Sequence, residues 1–419
     1  MVAEQRTLLR LVTARSLNTF GRAVLNATVL WELYARTGSK LALAAVGVAQ
    51  VLPVILLFVP AGTLVDRSDR RALATIAAAT TGLIGLGLAL ISGLGAPIAL
   101  YFVLLLGQGC ATVIHAPAIS SLIPLIIARD ELARANRHSA SLQELSAIVG
   151  PWIAGLALTF VAATWVYAAL AVTGLSAAAL YRSLPQARAV AASSVNARKD
   201  WRVGLRFIFR SPLLLPALTL DMFAVLFAGV TALLPAVATD VLHVDVFGYG
   251  MLRGAQSAGA VLMAVLGGHL RPWRRPGRVL LIVVALFGLA TIGFGLSRSF
   301  PLSLALLVLC GALDNVSVVI RLTLEQMVVP DAIRGRVSAV HYVFIGMSNE
   351  LGAAESWSAA ALIGTIPAIV AGGGLAVIVV GVVALKWRAL VTMPPLAELQ
   401  PAESLESPVA SIGPAAPPG

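Results

Sequence analysis

The fold of this chain is decided by the stretch Gly62-Thr63-Leu64-Val65-Asp66-Arg67-Ser68-Asp69-Arg70-Arg71. This stretch places five charged residues between two long apolar segments, 41–65 and 72–94. A helix that crosses the hydrocarbon core of a bilayer needs about 20 consecutive apolar residues, and both segments are long enough. Two such helices this close in sequence can be joined only by a tight turn. The sequence therefore predicts a membrane hairpin whose turn is this charged stretch.

The composition extends the prediction of membrane helices to most of the chain. Of the 419 residues, 59% are hydrophobic and 12% are charged, whereas about 25% of the residues of an ordinary soluble domain are charged. Apolar stretches of spanning length recur from Leu9 to Lys386. At roughly 30 residues for each helix and its loop, this length holds about twelve helices. We therefore predict an all-α membrane protein with about twelve transmembrane helices.

The basic residues predict how these helices are oriented. The formal net charge of +11 would favour a nucleic-acid partner in a soluble protein. Here most of the 30 Lys and Arg residues lie before the first helix or in every second loop, whereas Arg36, Lys40 and Arg298 occupy the other loops. Because basic loops remain on the inner side of a membrane, we expect both termini in the cytoplasm and no nucleic-acid partner. The expected location is a bacterial inner membrane, with a first helix that is not removed as a signal peptide.

The predicted helices fall into two sets of six. Their approximate bounds are 11–34, 41–65, 72–94, 98–127, 138–160, 162–184, 213–239, 247–270, 278–297, 300–327, 337–360 and 364–386. In the stretch between the two sets, Lys199, Arg202, Arg206 and Arg210 recur at helical spacing. This pattern predicts an amphipathic helix on an anionic membrane surface.

We expect four parts along the chain. They are an N-terminal six-helix bundle over 1–184, a cytoplasmic amphipathic linker over 185–212, a C-terminal six-helix bundle over 213–391, and a cytoplasmic tail over 392–419. The tail is expected to be disordered, because a composition of Pro, Ala, Ser and Glu buries too little apolar surface to fold. The two bundles are weakly alike, since Gly268-His269-Leu270 and the basic turn after it repeat the position of the charged turn. Such repeats are typical of transporters.

Two motifs resemble those of the major facilitator superfamily of secondary transporters. The spacing of Gly62, Asp66, Arg67, Arg70 and Arg71 resembles the family's signature after its second helix, although Asp69 stands where the family usually has a glycine. The segment Gly150-Pro151-Trp152-Ile153-Ala154-Gly155 resembles the motif of antiporter branches, in which small residues let helices approach closely. Residues 204–207, 334–337 and 348–352 are similar to the branch that contains the enterobactin exporter and macrolide-efflux proteins.

The resemblance implies a fold of two pseudo-symmetric six-helix bundles and transport by alternating access. It also implies a gating role for the charged turn, in which Asp66 faces the start of the eleventh helix. One departure concerns coupling. Many proton antiporters of the family have an arginine three residues before Gln-Gly in the fourth helix, but Leu105 precedes Gln108-Gly109 here. Either the chain couples through another residue, such as Arg22, or coupling to protons is absent.

Polar residues inside the predicted helices mark candidate sites, because a charge at the centre of a span costs about 2.5–3.5 kcal/mol. Arg15, Asn18, Arg22 and Asn26 share one face of the first helix. By resemblance this face lines the central cavity and contacts the substrate; alternatively, it clamps helices together. The substrate-cavity candidates are Asn18, Arg22, Asn26, Gln108, His115 and Asn315.

Four buried acids are candidates for carrying a coupling proton, namely Asp221, Asp314, Glu350 and Glu355. The alternative is that they pair with arginines across the bundle and only stabilise it. Arg321 and Glu325 are one helical turn apart, which predicts a structural ion pair between them.

These features together predict a proton-coupled exporter of a small drug-like or siderophore-like organic molecule, acting as a monomer. A uniporter or a nutrient importer is the alternative within transport, and a membrane scaffold or sensor is the alternative outside it. No phosphate-binding loop, metal-ligand cluster or nucleophile with a matched base is visible in the sequence. We therefore expect no enzymatic activity, no cofactor and no metal.

Overall fold

The computed structural model describes residues 2–127, 132–185, 201–267 and 273–399, and their regular structure is helical. In chain order the long helices are α1 (Val2–Thr37), α2 (Lys40–Arg67), α3 (Arg70–Gly93), α4 (Ala99–Ile126), α5 (Leu132–Phe160) and α6 (Ala163–Arg182), then α7 (Trp201–Arg210), α8 (Leu214–Ala228), α10 (Val246–Gly267), α11 (Pro276–Leu296), α12 (Phe300–Val328), α13 (Asp331–Ile363) and α14 (Thr365–Lys386). The short elements are a 3-10 turn (Val230–Ala232), α9 (Leu234–Ala236), a π turn (Val237–Val241), α15 (Arg388–Val391) and a 3-10 turn (Leu396–Glu398).

The tight turn between two helices that the charged stretch predicts is confirmed. Helix α2 ends at Arg67 and α3 begins at Arg70, so only two residues separate them. The Asp69 carboxylate accepts hydrogen bonds from the backbone N–H groups of Arg71 (2.8 Å) and Ala72 (3.3 Å). Asp69 thus caps α3, which gives the departure from the family's glycine a structural reason.

Seven helical stretches of the described residues are long and apolar enough to cross a membrane. They are Arg70–Gly93, Ala99–Ile123, Ala163–Arg182, Leu214–Ala232, Pro276–Leu296, Phe300–Val328 and Thr365–Lys386. Large apolar side chains such as Leu90, Leu362 and Leu385 are largely exposed, as expected for surfaces that face lipid. The chain is therefore a multi-pass membrane protein, and the full count of twelve spans stays a prediction.

The chain divides into two compact units. Unit 1 comprises Met1–Ala192 together with Thr231–Ser257, and unit 2 comprises Ser193–Val230 together with Ala258–Gly419. In unit 1 small residues let helices pack tightly: a Cβ at Gly82 of α3 would lie 2.9 Å from the backbone of Leu175 in α6. In unit 2 a large apolar core joins α7, α8, α11, α12, α13 and α14.

The amphipathic helix predicted before the second set of spans is present as α7, but its apolar face meets protein. Phe207 and Ile208 are buried in the core of unit 2, and a Cβ at Gly204 would lie 2.8 Å from the carbonyl oxygen of Arg336 in α13. Arg202 and Arg206 are exposed on the other side. The prediction that this helix lies on the membrane surface is therefore wrong for its apolar face, because α13 covers that face. Lys199 lies outside the described residues.

The chain stays packed beyond the point where disorder was predicted to begin. Met393 and Leu399 are buried in the core of unit 2, so the expectation of disorder is wrong for 392–399. These two apolar side chains supply the burial that the composition of the tail as a whole lacks. Residues 400–419 lie outside the described residues.

The seventh predicted span, 213–239, is interrupted. Helix α8 ends at Ala228, and short 3-10, α and π turns follow as far as Val241. Pro235 has no N–H group, so the carbonyl of Thr231 cannot receive the usual helical hydrogen bond from it. Arg253 of α10 donates to that carbonyl instead, at 2.7 Å. An arginine inside a predicted span thus satisfies a backbone group that the break sets free.

Candidate functional site

Unit 2 contains a cavity of about 20 Å³ between α8, α11 and α12. Asp221 of α8 and Asp314 and Ser317 of α12 are its polar wall residues, and Val284 and Phe287 of α11 contribute to its apolar wall. A space of this size holds about one water molecule. Two of the four predicted proton-carrying acids therefore share one small cavity.

The Asp221 carboxylate forms an ion pair with the guanidinium of Arg321, and both residues are buried. Arg321 Nε also donates to the carbonyl oxygen of Ser317 at 3.3 Å. A buried charge is tolerated only when it is paired and hydrogen-bonded. Arg321 lies seven residues after Asp314, on the same face of α12. Arg321 therefore contacts one acid of the cavity and lies two helical turns from the other, on the same face of α12.

The predicted ion pair between Arg321 and Glu325 is wrong. Arg321 pairs with Asp221, whereas Glu325 accepts from Ser338 and forms a 2.5 Å contact with His341 Nδ1, both on α13. Residues four apart on a helix can pair, but these two side chains are directed at different neighbouring helices. His341 is thereby identified as the partner of Glu325.

Of the other two candidate acids, Glu355 does not line this cavity. Glu355 is partly buried on α13, and the side chain of Glu350 lies outside the described part of the structure. Asn315 is partly buried next to Asp314 but does not line the cavity wall. Within the described residues, no group of three or more His, Cys, Asp or Glu side chains could bind a metal ion.

In unit 1, two of the predicted cavity residues meet inside the bundle. Asn18 Nδ2 of α1 lies 3.5 Å from His115 Nδ1 of α4, and the other His115 nitrogen lies 3.2 Å from the hydroxyl of Tyr181 in α6. Arg15 and Arg22 lie close enough to His115 to interact with it electrostatically. The polar stripe of α1 is therefore continued by side chains of α4 and α6.

The remaining polar candidates of unit 1 bridge pairs of helices. Gln50 of α2 donates to Asn26 of α1 at 3.2 Å, and Gln108 of α4 donates to Thr81 of α3 at 3.3 Å. Gln108 is buried, while Asn26 is partly buried. The contact between Gln50 and Asn26 fits the clamp interpretation of the α1 stripe, and Asn26 is partly exposed beside it.

The role of the Glu32 carboxylate, a polar group of unit 1 with several partners, was not predicted from the sequence. It accepts hydrogen bonds from Ser92 (2.7 Å), Tyr101 (2.9 Å) and Tyr167 (2.8 Å), which belong to α3, α4 and α6. The guanidinium of Arg36 lies 3.4 Å away, one turn further along α1. We call this arrangement the Glu32 network. The signal in the sequence was a single acid in an apolar run with an arginine four residues later.

The antiporter-like motif brings α5 close to two other helices. A Cβ at Gly150 would lie 2.8 Å from the Cβ of Ala23 in α1, and a Cβ at Gly155 would lie 2.7 Å from the Cα of Gly250 in α10. Pro151 between them is buried within α5. Small residues are needed on this face because a side chain on either glycine would collide with the neighbouring helix.

The charged turn contacts the end of α6 through Arg71. Arg71 donates to the carbonyl oxygens of Leu184 (2.8 Å) and Arg182 (3.4 Å), at the carboxyl end of α6. A cation is favoured there by the partial negative charge of the helix end. Arg67 is exposed, and the side chain of Asp66 lies outside the described residues. Its gating role stays a prediction.

Two other residues of the charged turn, Gly62 and Arg70, have few contacts among the described residues. A Cβ at Gly62 would meet nothing within 4 Å. Arg70 is partly buried, and its Nε atom has no hydrogen-bond partner among the described residues. Within the part of the chain that the structure describes, neither residue makes a contact that explains its place in the motif.

Comparison with known proteins agrees with this fold. The profile of the Major Facilitator Superfamily matches residues 11–353. The enterobactin exporter EntS of Escherichia coli O1:K1 / APEC is 28% identical over 331 residues, which cover 77% of this chain and 78% of the relative. The enterobactin exporter EntS of Shigella boydii serotype 18 is 28% identical over 332 residues, with the same coverage.

Solved structures show the same fold at low identity. A bacterial homolog of the human lysosomal transporter Spinster, in an inward-facing and occupied conformation, superposes with a TM-score of 0.70 at 14% identity and covers 91% of this chain and 96% of its own. The nucleoside transporter NupG superposes with a TM-score of 0.68 at 13% identity and covers 90% of this chain and 98% of its own.

The helical membrane fold with charges buried in its units defines the class of protein, a polytopic membrane transporter and not an enzyme. The family profile covers most of its length. The chain belongs to the Major Facilitator Superfamily.

Proposed function

We propose that this transporter exports a small organic molecule from the bacterial cytoplasm by alternating access, driven by protons that move inward. Its spans number twelve in this proposal, both termini are cytoplasmic, and the functional unit is a monomer in the inner membrane. The direction is supported by the 28% identity to enterobactin exporters over 77% of the chain. The one-sided distribution of basic residues supports the orientation.

The observation that carries the coupling proposal is the cavity shared by Asp221 and Asp314, together with the ion pair between Asp221 and Arg321. Helix α4 contains no Lys, Arg, Asp or Glu, and Leu105 is fully buried at the place of the family's arginine. Coupling groups must therefore come from elsewhere in the chain. In unit 2 the Asp221 carboxylate is paired with Arg321, and Asp314 lines the same cavity. If Asp221 takes up a proton, the guanidinium still has a second carboxylate to turn to.

The proposed step is an exchange of partners within α8 and α12. When a proton neutralises Asp221, Arg321 is released and its guanidinium transfers to Asp314 on the same face of α12. When the proton leaves, the original ion pair forms again. In both arrangements the guanidinium faces a carboxylate, so the buried cation always has a partner of opposite charge. The substrate is assigned to the stripe of Asn18, Arg22 and Asn26, whose arginine favours an acidic group such as a catechol or a carboxylate.

The test begins with the wild-type chain. A panel of siderophores and macrolides is assayed for efflux from cells with and without the chain, with and without a proton ionophore. The exported compound is then studied in proteoliposomes with an imposed pH gradient and a trapped pH dye. We expect uphill transport and substrate-dependent proton movement, and both should vanish without the gradient.

The variant Asp314→Asn addresses the coupling site. We expect it to abolish uphill transport while downhill exchange of the substrate persists, because the guanidinium loses its second partner but the first pair remains. Glu398→Gln is the matched control, since that acid is exposed near the end of the described chain. Unchanged uphill transport in Asp314→Asn would remove this cavity from the mechanism, and Glu355→Gln is then the next variant to measure.

A further inference from the structure

Five exposed basic side chains lie at one end of unit 2. They belong to two stretches of the chain, the start of α11 and the junction of α14 with α15. The five, which we call the basic cluster, are Arg274, Arg275, Arg278, Lys386 and Arg388. The stretches that carry them, 273–280 and 384–393, contain no Asp or Glu.

The packing of α11 against α14 brings these two stretches together. A Cβ at Gly295 would lie 2.9 Å from the side chain of Ile369, and a Cβ at Gly288 would lie 2.8 Å from the carbonyl oxygen of Gly373. Positions early in α14 therefore contact the end of α11, and the two helices run antiparallel. The first turn of α11 consequently lies beside the last turn of α14.

The chain that follows α14 continues this contact. A Cβ at Gly277 would collide with the carbonyl oxygen of Leu390, and Arg278 Nε donates to the carbonyl oxygen of Val391 at 3.3 Å. Leu390 and Met393 are buried in the core of unit 2. Helix α15 is therefore held against the start of α11, which places the basic residues of both stretches at the same end of the unit.

The basic cluster is suited to an oxyanion. Like charges repel each other, and the two stretches supply no acid of their own to balance the cluster. An anion that binds among these side chains relieves the repulsion. Arginine in particular favours phosphate and carboxylate groups, because its guanidinium can donate two parallel hydrogen bonds to them.

The position of the cluster along the helices places it at the membrane surface. Both α11 and α14 are long and apolar enough to cross a membrane, and the cluster occupies the adjacent ends of both. Trp273 and Trp387 are partly buried within the same stretches, and Lys386 Nζ lies 4.7 Å from the centre of the Trp387 ring. Tryptophan is enriched where the hydrocarbon of a membrane meets the headgroups. The oxyanions at this level are the phosphates of lipids.

The surface of the two helices next to the cluster is apolar. Ile282, Leu286 and Leu289 are exposed and follow Arg278 at positions i+4, i+8 and i+11, so the four side chains share one face of α11. On the neighbouring helix α14, Leu385 is also exposed. An acyl chain can lie along this surface, whereas a soluble anion makes no use of it.

We propose that the basic cluster binds the phosphodiester headgroup of an anionic phospholipid, such as phosphatidylglycerol, and that the exposed face of α11 contacts one of its acyl chains. The headgroup bridges Arg275 and Arg278 at the start of α11 to Arg388 of α15. The lipid thereby holds the chain that follows α14 on unit 2. This site is independent of the substrate, the direction of transport and the coupling ion.

Native mass spectrometry of the purified full-length protein tests the binding. Protein in detergent is titrated with phosphatidylglycerol, and the wild type is compared with the triple variant Arg274→Gln, Arg275→Gln, Arg388→Gln. Each basic residue near a membrane surface adds roughly fivefold to the binding of an anionic lipid, so we expect the triple variant to bind roughly a hundredfold more weakly. If the triple variant is poorly folded, Lys386→Gln with Arg388→Gln is measured instead, and a loss of roughly thirtyfold is expected.

The matched control removes three exposed arginines of α7 and lowers the net charge by the same amount. It combines Arg202→Gln, Arg206→Gln and Arg210→Gln, and we expect it to bind phosphatidylglycerol as the wild type does. Equal losses in the two triple variants would overturn the proposal, as would equal binding of phosphatidylcholine by the wild type. Displacement of the lipid by an equal concentration of glycerophosphoglycerol, the headgroup without acyl chains, would overturn the assignment to a lipid.

Amide hydrogen exchange tests the bridge to α15. The full-length protein is compared in nanodiscs of phosphatidylcholine alone and in nanodiscs that also contain phosphatidylglycerol. We expect peptides from 387–399 to exchange several-fold more slowly when phosphatidylglycerol is present, and we expect this difference to vanish in the cluster variants. Equal exchange of the wild type in both kinds of nanodisc would show that the lipid does not hold this segment. Because no substrate is needed, failure to detect transport would count against the proposed function and leave this result unaffected.

Discussion

The ion pair between Asp221 and Arg321 makes a strong prediction about stability. Both residues are buried, with 8% and 3% of their surface exposed. Replacing Asp221 with Asn removes the carboxylate that the guanidinium contacts, and breaking a buried pair in this way costs about 3–5 kcal/mol. We expect the lower end of this range, because Asp314 on the same face of α12 can receive the guanidinium. At roughly 2–4 °C for each kcal/mol in a unit of this size, Asp221→Asn should lower the unfolding temperature by about 6 °C or more.

The double variant separates the pair from its surroundings. Arg321→Met leaves Asp221 without its cation and should also be strongly destabilised. Asp221→Asn combined with Arg321→Met removes both charges of the pair at once. We expect the double variant to be more stable than either single variant, because a buried pair replaced as a whole is often close to neutral in free energy.

The measurement is thermal unfolding of the purified protein in one detergent, followed by tryptophan fluorescence. Arg298→Gln serves as the control, since this arginine is exposed and its loss should change stability by no more than about 0.5 kcal/mol. Additive losses in the double variant would refute the reasoning, because they would mean that the two side chains do not compensate each other.

Three further predictions concern other parts of the molecule. Gly155→Val should abolish transport and lower expression, because its Cβ would lie 2.7 Å from the Cα of Gly250, whereas Gly62→Val meets nothing within 4 Å and should be far milder in the same assay. Glu32→Ala should lower the free energy of unfolding by about 2–6 kcal/mol, since two fully buried tyrosine hydroxyls lose their acceptor. Chemical unfolding in detergent measures this free energy, and a smaller loss would contradict the prediction. Asp66→Asn should slow turnover more than it weakens substrate binding, and an affinity that falls in step with the rate would count against gating.

Local features of the fold were predictable from sequence. The hairpin at residues 62–71 follows from two apolar segments and a charged turn, and the turn is closed by Asp69, which is next to the helix it caps. The family also follows from motifs that are local in sequence. In each case the interacting residues are neighbours along the chain, so their spacing carries the information.

The partners of buried charges could not be predicted in the same way. The spacing of Arg321 and Glu325 allowed a pair, but Asp221 and His341 compete for them from other helices. Which helices face each other is set by packing in three dimensions, and the apolar pattern of a membrane helix shows little preference between its faces. Glu32 was missed for a related reason, since its donors lie on three other helices.

The interruption after α8 was partly visible in the sequence. Pro235 marks a place where a helix loses a hydrogen bond. Hydropathy alone favoured one continuous span over 213–239, because Asp221 is the only charged side chain before its end. Hydropathy does not register whether each backbone group inside the bilayer has a partner. Here the partner comes from Arg253, which is far enough along the chain that no local rule connects it to Thr231.

The segment Thr231–Ser257, here called the strap, belongs to unit 1, and this has a consequence for biogenesis. A membrane protein is synthesised from its N-terminus, and its helices enter the bilayer in that order. Unit 1 is complete only when the ribosome has reached Ser257, long after the first six helices have been made. Until then Trp31 on α1 and Gly155 on α5 lack their partners from the strap. The first half of this transporter therefore cannot finish folding before part of the second half has been inserted.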